Sequence, residues 1–134
     1  VILLQIANIG FFVFHSMLIL LNVIGWAWKK TRVWNLACLL ATAASWGIMG
    51  IWKGAGYCIC TDWHWQVRAA MGIHETSSSY VVLLLRNLTG WDAPTSLVNP
   101  VALVVFLAAL AASVTLNFRD FRYGRSLAKE AATH

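Results

Sequence analysis

Charge is the scarce ingredient of this sequence. Only 11% of its 134 residues are Asp, Glu, Lys or Arg, and 60% are hydrophobic. Soluble domains carry roughly 25% charged residues, so too little charge is present to cover a water-facing surface. The scarcity is also local: residues 1–28, 33–52 and 93–118 hold no charged side chain at all. A helix needs ~20 apolar residues to cross a bilayer. The first two stretches meet that length, and the third narrows to 101–118, because the rings of Pro94 and Pro100 favour the edge of a helix over its middle. No internal repeat or low-complexity linker divides the chain. The reading is one all-α, polytopic membrane domain with three transmembrane helices, a tilted fourth being the alternative. The first stretch also lacks a basic n-region and ends in Trp-Ala-Trp-Lys-Lys rather than small residues, which marks a retained span and not a cleaved leader.

The charge that is present is sorted. Lys29, Lys30 and Arg32 fill the loop between the first two spans, and Arg119, Arg122, Arg125 and Lys129 follow the third. Short loops rich in Lys and Arg stay in the cytoplasm. Two crossings separate the clusters, so both can be cytoplasmic. The N-terminus then lies outside, and residues 119–134 form a cytoplasmic tail, frayed from Ser126 onward. The net charge of +5 is thereby accounted for without nucleic acid. The expected location is a bacterial inner membrane, with lipid and other membrane subunits as partners.

On this topology residues 53–100 form an extracytoplasmic helical lid. Thr61 or Asp62 can cap a short helix over 63–71, with Gly72 at its C-terminal turn, where positive φ is cheap. Tyr57, Trp63 and Trp65 are of the aromatic types that settle at headgroup depth. Cys60 and His64 then stand at a partly exposed edge. The helix over 80–88, interrupted by Arg86 and preceded by the capping run 76–79, is too short to span and reads as interfacial or partly re-entrant. Arg68, Asp62 and Gly72 are the expected structural residues of the lid. Arg68 and Asp62 are six residues apart, nearly opposite on a helix, so each should pair with other segments; the candidate partners of Arg68 are Asp62, Glu75, Asp92 and the free carbonyls at the end of the second span.

Within the spans, Asn8, His15 and Asn22 recur every seven residues on one face; Asn35, Cys38, Thr42 and Ser45 share another; Ser113 and Asn117 lie one turn apart. Polar groups are expensive in lipid unless they face protein or a cavity, so these stripes should face one another. Ala37, Ala41, Ala44, Gly47 and Gly50, and Ala108, Ala109, Ala111 and Ala112, let backbones approach. His15 can be a cofactor ligand for haem or another pigment, a proton carrier, or a neutral histidine bonded to Asn35, Thr42 or Ser45. No second histidine lies in any span, which argues against a bis-histidine haem inside one chain.

Cys58, Cys60, His64 and His74 form C-x-C-x3-H-x9-H. Thiolates and imidazoles suit Zn, Cu or iron–sulfur chemistry, but the spacing matches no standard metal motif. Simple packing under the aromatic rings and a strained Cys58–Cys60 disulfide are the other readings. A cysteine–histidine nucleophile would need Cys58 or Cys60 beside His64 or His74.

The stretch "GYCICTDWHWQVR" resembles a block, C-P-L-T-x-x-E-x-x-x-R-x-x-x-G, of the bacterial membrane-protein family called domain of unknown function 2784. His15, the 29–32 loop, Cys58, Thr61, Arg68 and Gly72 fall at matching positions, whereas Ile59, Cys60 and His64 depart from it. Its form looks like a Bacteroidetes-type variant. The resemblance implies a membrane protein and supplies no known activity. With no complete catalytic constellation, the expected function is non-enzymatic: an accessory subunit packing against a larger membrane complex, without a cofactor. The alternative is a redox, metal-binding or pigment-binding protein that uses His15 or the Cys58, Cys60 and His64 cluster.

Overall fold

The computed structural model describes residues 1–53, 57–77 and 79–134. The described residues form five α-helices: α1 (Ile2–Ile24), α2 (Arg32–Lys53), α3 (Ile59–Ala70), α4 (Tyr80–Thr89) and α5 (Thr95–Thr133). Three of them, α1 extended through a 3-10 turn to Ala27, α2 and α5, are long and apolar enough to cross a membrane. The helix α4 has 10 residues and is too short to do so.

The hairpin between α1 and α2 is set by polar groups and one glycine. Asn35 donates to the carbonyls of Leu21 (2.6 Å) and Asn22 (3.1 Å), and Asn22 donates to Thr42 Oγ1 at 3.0 Å. Gly25 is buried at the crossing, where an added Cβ would stand 2.8 Å from Leu21 Cδ1 and 3.0 Å from Asn35 Cβ. Thr31 Oγ1 donates to the Gly25 carbonyl (2.6 Å) and Arg32 Nε to that of Trp26 (2.9 Å), which locks the loop. The expected meeting of polar stripes holds here. The small residues behave otherwise. Ala37, Ala41, Ala44 and Gly47 are exposed, and α2 meets α5 through Leu39, Ala43 and Trp46 against Phe106, Ala109 and Leu110. The face carrying Asn35 and Thr42 must turn inward to satisfy its polar groups, and that carries the alanines outward.

The third span differs from expectation at both ends. It begins at Thr95, with Leu97 N and Val98 N bonded to the Pro94 carbonyl, and takes Pro100 into its second turn. A proline this close to the start forfeits one intrahelical bond. At the other end the helix continues through the residues read as a frayed tail, to Thr133.

The start of α3 lies back along α2. The backbone N–H of Ile59 donates to Ser45 Oγ at 2.9 Å, eight residues before the end of α2. That places the start of α3 about 12 Å short of that end along the helix axis. The helix α3 then runs antiparallel to α1, with Cys58 beside His15 and His64 beside Asn8. The helix α3 packs along α1 from Asn8 to His15, whereas α4 touches α1 through Tyr80, its first residue. The helix α4 starts from the Ser79 side chain, which accepts from Val82 N, and stops at Gly90, whose φ of 76° is left-handed. Val82 packs with Ala93 and Val98 to fasten α4 to the start of α5.

Candidate functional site

The centre of the site is the N-terminus of α3. Cys58, not Thr61 or Asp62, is the N-cap, and its Sγ accepts from the Thr61 backbone N–H at 3.4 Å. Thr61 Oγ1 lies 2.9 Å from the same sulfur, and His15 Nε2 lies 3.7 Å from it. His15 is buried and does not reach Asn35, Thr42 or Ser45; those residues bond elsewhere. Its ring stacks on Tyr80, with centroids 3.8 Å apart and planes at 19°. Tyr80 is fixed by donation to the Phe12 carbonyl (2.9 Å) and a bond with Ser16 Oγ (3.0 Å). The Nδ1 atom of His15 is buried without a partner. A buried N–H with no acceptor is the rarer of the two unpaired forms, so the proton belongs on Nε2, pointing at the sulfur. The Cys58 sulfur thus faces N–H donors from Thr61 and His15.

His64 forms the second layer. It is completely buried, not at a partly exposed edge, because α3 lies along α1 and its inner face meets Phe11 and Phe12. Its Nε2 bonds Asn8 Oδ1 at 2.9 Å, and Arg68 Nη1 donates to the same oxygen at 3.3 Å. An atom that accepts from Arg must be the amide oxygen, so His64 Nε2 donates and is protonated, leaving Nδ1 a bare lone pair with no partner. Burial first, and the Arg68 charge second, push the His64 pKa down to about 4, with Glu75 opposing; the ring is neutral at pH 7.

Arg68 closes the outer edge. Its Nε donates to Glu75 Oε1 at 2.9 Å, and its Nη2 reaches the same oxygen. Glu75 Oε2 accepts from Arg86 at 2.8 Å. Burial raises the Glu75 carboxyl, but the bonds from Arg86 and Arg68 outweigh it and hold the group below the ordinary carboxylate range. Among Asp62, Glu75 and Asp92, Glu75 is the partner of Arg68. Asp62 instead accepts from Tyr57 (3.1 Å) and Gln66 (2.8 Å), and Asp92 lies 3.8 Å from Arg86. Burial, then the bond to Asp62, pushes Tyr57 up to about 12. Gly72, with φ of 81°, ends α3.

The four residues of the C-x-C-x3-H-x9-H pattern are not gathered. Cys58 meets His15, His64 meets Asn8, and His74 is exposed. Cys60 is a free thiol, as are Cys58 and Cys38. Burial, then the neighbouring Cys58, pushes Cys60 up to about 11. Among the described residues, no three His, Cys, Asp or Glu side chains are placed to hold a metal ion. The partners that sequence reading missed are Thr61 as a contact of the sulfur, Tyr80 and Asn8. For Asn8 the signal was present: it shares a face with His15, and an amide in a span needs a partner.

No curated protein and no solved structure matches the chain. A family model described as "Protein of Unknown function (DUF2784)" matches residues 5–118, most of the chain and all of the site, and the chain belongs to that family.

Proposed function

We propose that this is a membrane-embedded thiol protein in which Cys58 is the reactive atom and His15 its positioning partner. The observation that carries the reading is the Cys58 sulfur at the α3 N-cap, 3.7 Å from a buried imidazole and facing the Thr61 N–H. Helix N-termini and adjacent histidines are the settings of nucleophilic cysteines. Cys60 stands two residues on and supplies a second thiol. Oxidation of the pair joins the two sulfurs, releases both thiol protons and passes two electrons to an oxidant dissolved in the lipid, such as a quinone, which leaves as the quinol. The position of Cys58, level with His15 near the middle of α1, favours an oxidant that enters from the membrane. The basic clusters support a cytoplasmic-membrane location with the N-terminus, α3 and α4 toward the non-cytoplasmic side and the C-terminus inside.

Treating the purified protein with a water-insoluble quinone and measuring intact mass tests the reading. The expected result is loss of two hydrogens as the pair closes, abolished in Cys58→Ser and Cys60→Ser but retained in Cys38→Ser. An unchanged mass in the parent, with free thiols at both positions, contradicts it.

An accessory-subunit role is a second reading, supported by an open apolar notch on α1 lined by Ala7, Gly10, Phe11 and Phe14, where a Cβ on Gly10 would meet nothing within 4 Å. Small residues of this kind let another helix approach. Purification in mild detergent should then retain a second membrane protein, lost on Gly10→Leu; a lone monomer counts against it.

A further inference from the structure

The charges of this protein divide by end. At the α1–α2 loop and the C-terminal part of α5 stand seven of the ten cations (Lys29, Lys30, Arg32, Arg119, Arg122, Arg125 and Lys129) but two of the five anions, Asp120 and Glu130. The remaining three cations and three anions balance around α3 and α4, so the whole excess of +5 sits at one end. Folding joins the two basic segments. Arg32 Nη1 donates to both oxygens of Asp120 (3.1 and 2.8 Å), and Asn117 Nδ2 donates to the Arg32 carbonyl at 3.1 Å. Among the described residues that is the only ion pair at this end.

The α5 helix, with 39 residues, is ~58 Å long against a hydrocarbon core of ~30 Å. Its C-terminal part therefore stands at and beyond the membrane surface. There, Arg122 lies over the Phe118 ring (5.9 Å) and Arg125 over Phe121 (5.8 Å), and these four side chains line an open depression. The rings are exposed, as are Trp28 and Trp34 nearby in the first loop and α2. Exposed aromatics beside unneutralised guanidinium groups, at the point where a span leaves the lipid, suit one ligand chemistry. The ring sits at acyl-chain level, and the guanidinium offers parallel N–H donors to a phosphate.

We propose that this end binds the headgroups of anionic phospholipids, with Arg122 and Arg125 as the phosphate ligands and Phe118 and Phe121 against the chains. Charge complementarity selects this occupant: the surface is cationic, continuous across two segments and level with the headgroups.

The test uses the full chain in vesicles of phosphatidylcholine carrying a trace of fluorescent phosphatidylglycerol or fluorescent phosphatidylcholine, with energy transfer from the tryptophans as readout. The expected result is enrichment of phosphatidylglycerol around the parent, with the affinity behind it reduced by up to about thirtyfold in Arg122→Gln/Arg125→Gln and unchanged in Lys53→Gln at the opposite end. Enrichment should weaken with added salt and resist inorganic phosphate at matched ionic strength. Equal transfer from both lipids, full selectivity in the double variant, or competition by inorganic phosphate beyond its ionic strength overturns the proposal. Should the double variant fail to fold, the lipid preference and salt dependence of the parent decide it alone.

Discussion

At the scale of the residue, the buried imidazoles decide how the protein responds to acid. His64 titrates at about 4 in the fold against 6.5 for a free histidine, so between those values the unfolded chain holds more protons. Stability from this group is complete above pH 6.5 and falls as the pH drops toward 4. Glu75 acts in the same sense at lower pH, since its depressed carboxyl stabilises the fold until protonated. Thermal unfolding in detergent should therefore show a midpoint that declines from pH 7 to pH 4, and His64→Gln, which keeps a donor for Asn8 and cannot titrate, should flatten the upper part of that decline. A midpoint equally pH-dependent in parent and variant would contradict the assignment. Gly25 gives a steric test of the same fold. Its Cβ would meet Leu21 and Asn35 at 2.8 and 3.0 Å, so Gly25→Ala should destabilise by about 1–3 kcal/mol, whereas Gly10→Ala, facing open space, should change little.

Elements are joined by few but buried contacts. Glu75 is the hinge-pin between α3 and α4: its side chain is 5% exposed and holds both Arg68 and Arg86. Removing Glu75 leaves two guanidinium groups without their shared carboxylate, Arg68 largely buried and Arg86 partly exposed, which destabilises the joint between the helices. Glu75→Ala should make the segment between α3 and α4 the first to be cut in limited proteolysis; Asp92→Ala, more exposed and farther from its arginine, should not. The sequence left this pairing among four candidates, because Asp62, Glu75, Asp92 and the last carbonyls of the second span all lay within reach of Arg68; the fold selects Glu75. The bond between Asn22 and Thr42 was legible, since polar stripes in lipid must find each other. The contact between His15 and Cys58 was not. They are 43 residues apart, and charge rules place the chain after Lys53 outside the spans; its return to the level of Ser45 depends on one hydrogen bond from Ile59 and on aromatic packing, neither of which carries a periodic signal. The same return hid the burial of His64. Pro100 misled because the helix runs through it: it stands in the second turn of α5 at the loss of one N–H bond, and the helix begins at Thr95 rather than after it.

For the whole molecule, three apolar helices of sufficient length agree with the scarcity of charge, and the orientation proposed from the basic end has a direct test. With native cysteines replaced by serine, a cysteine at His74 should react with an impermeant maleimide in intact cells. One at Ser126 should react only after permeabilisation. Labelling of both from outside would reverse the proposed placement of the Arg-rich end. The molecule has an apolar exterior, a cationic end and a polar interior assembled from α1, α3 and α4 around the Cys58 sulfur.

That interior is tested most directly by competing the three native thiols against one another. Brief alkylation of the folded protein with limiting iodoacetamide, followed by mass spectrometry of the peptides, ranks Cys58, Cys60 and Cys38 by rate. Cys58 should react first, and His15→Phe, which keeps the ring stacked on Tyr80 but removes the N–H, should slow Cys58 while leaving the other two unchanged. Cys58 reacting no faster than Cys60, or at the same rate with and without His15, would contradict the account.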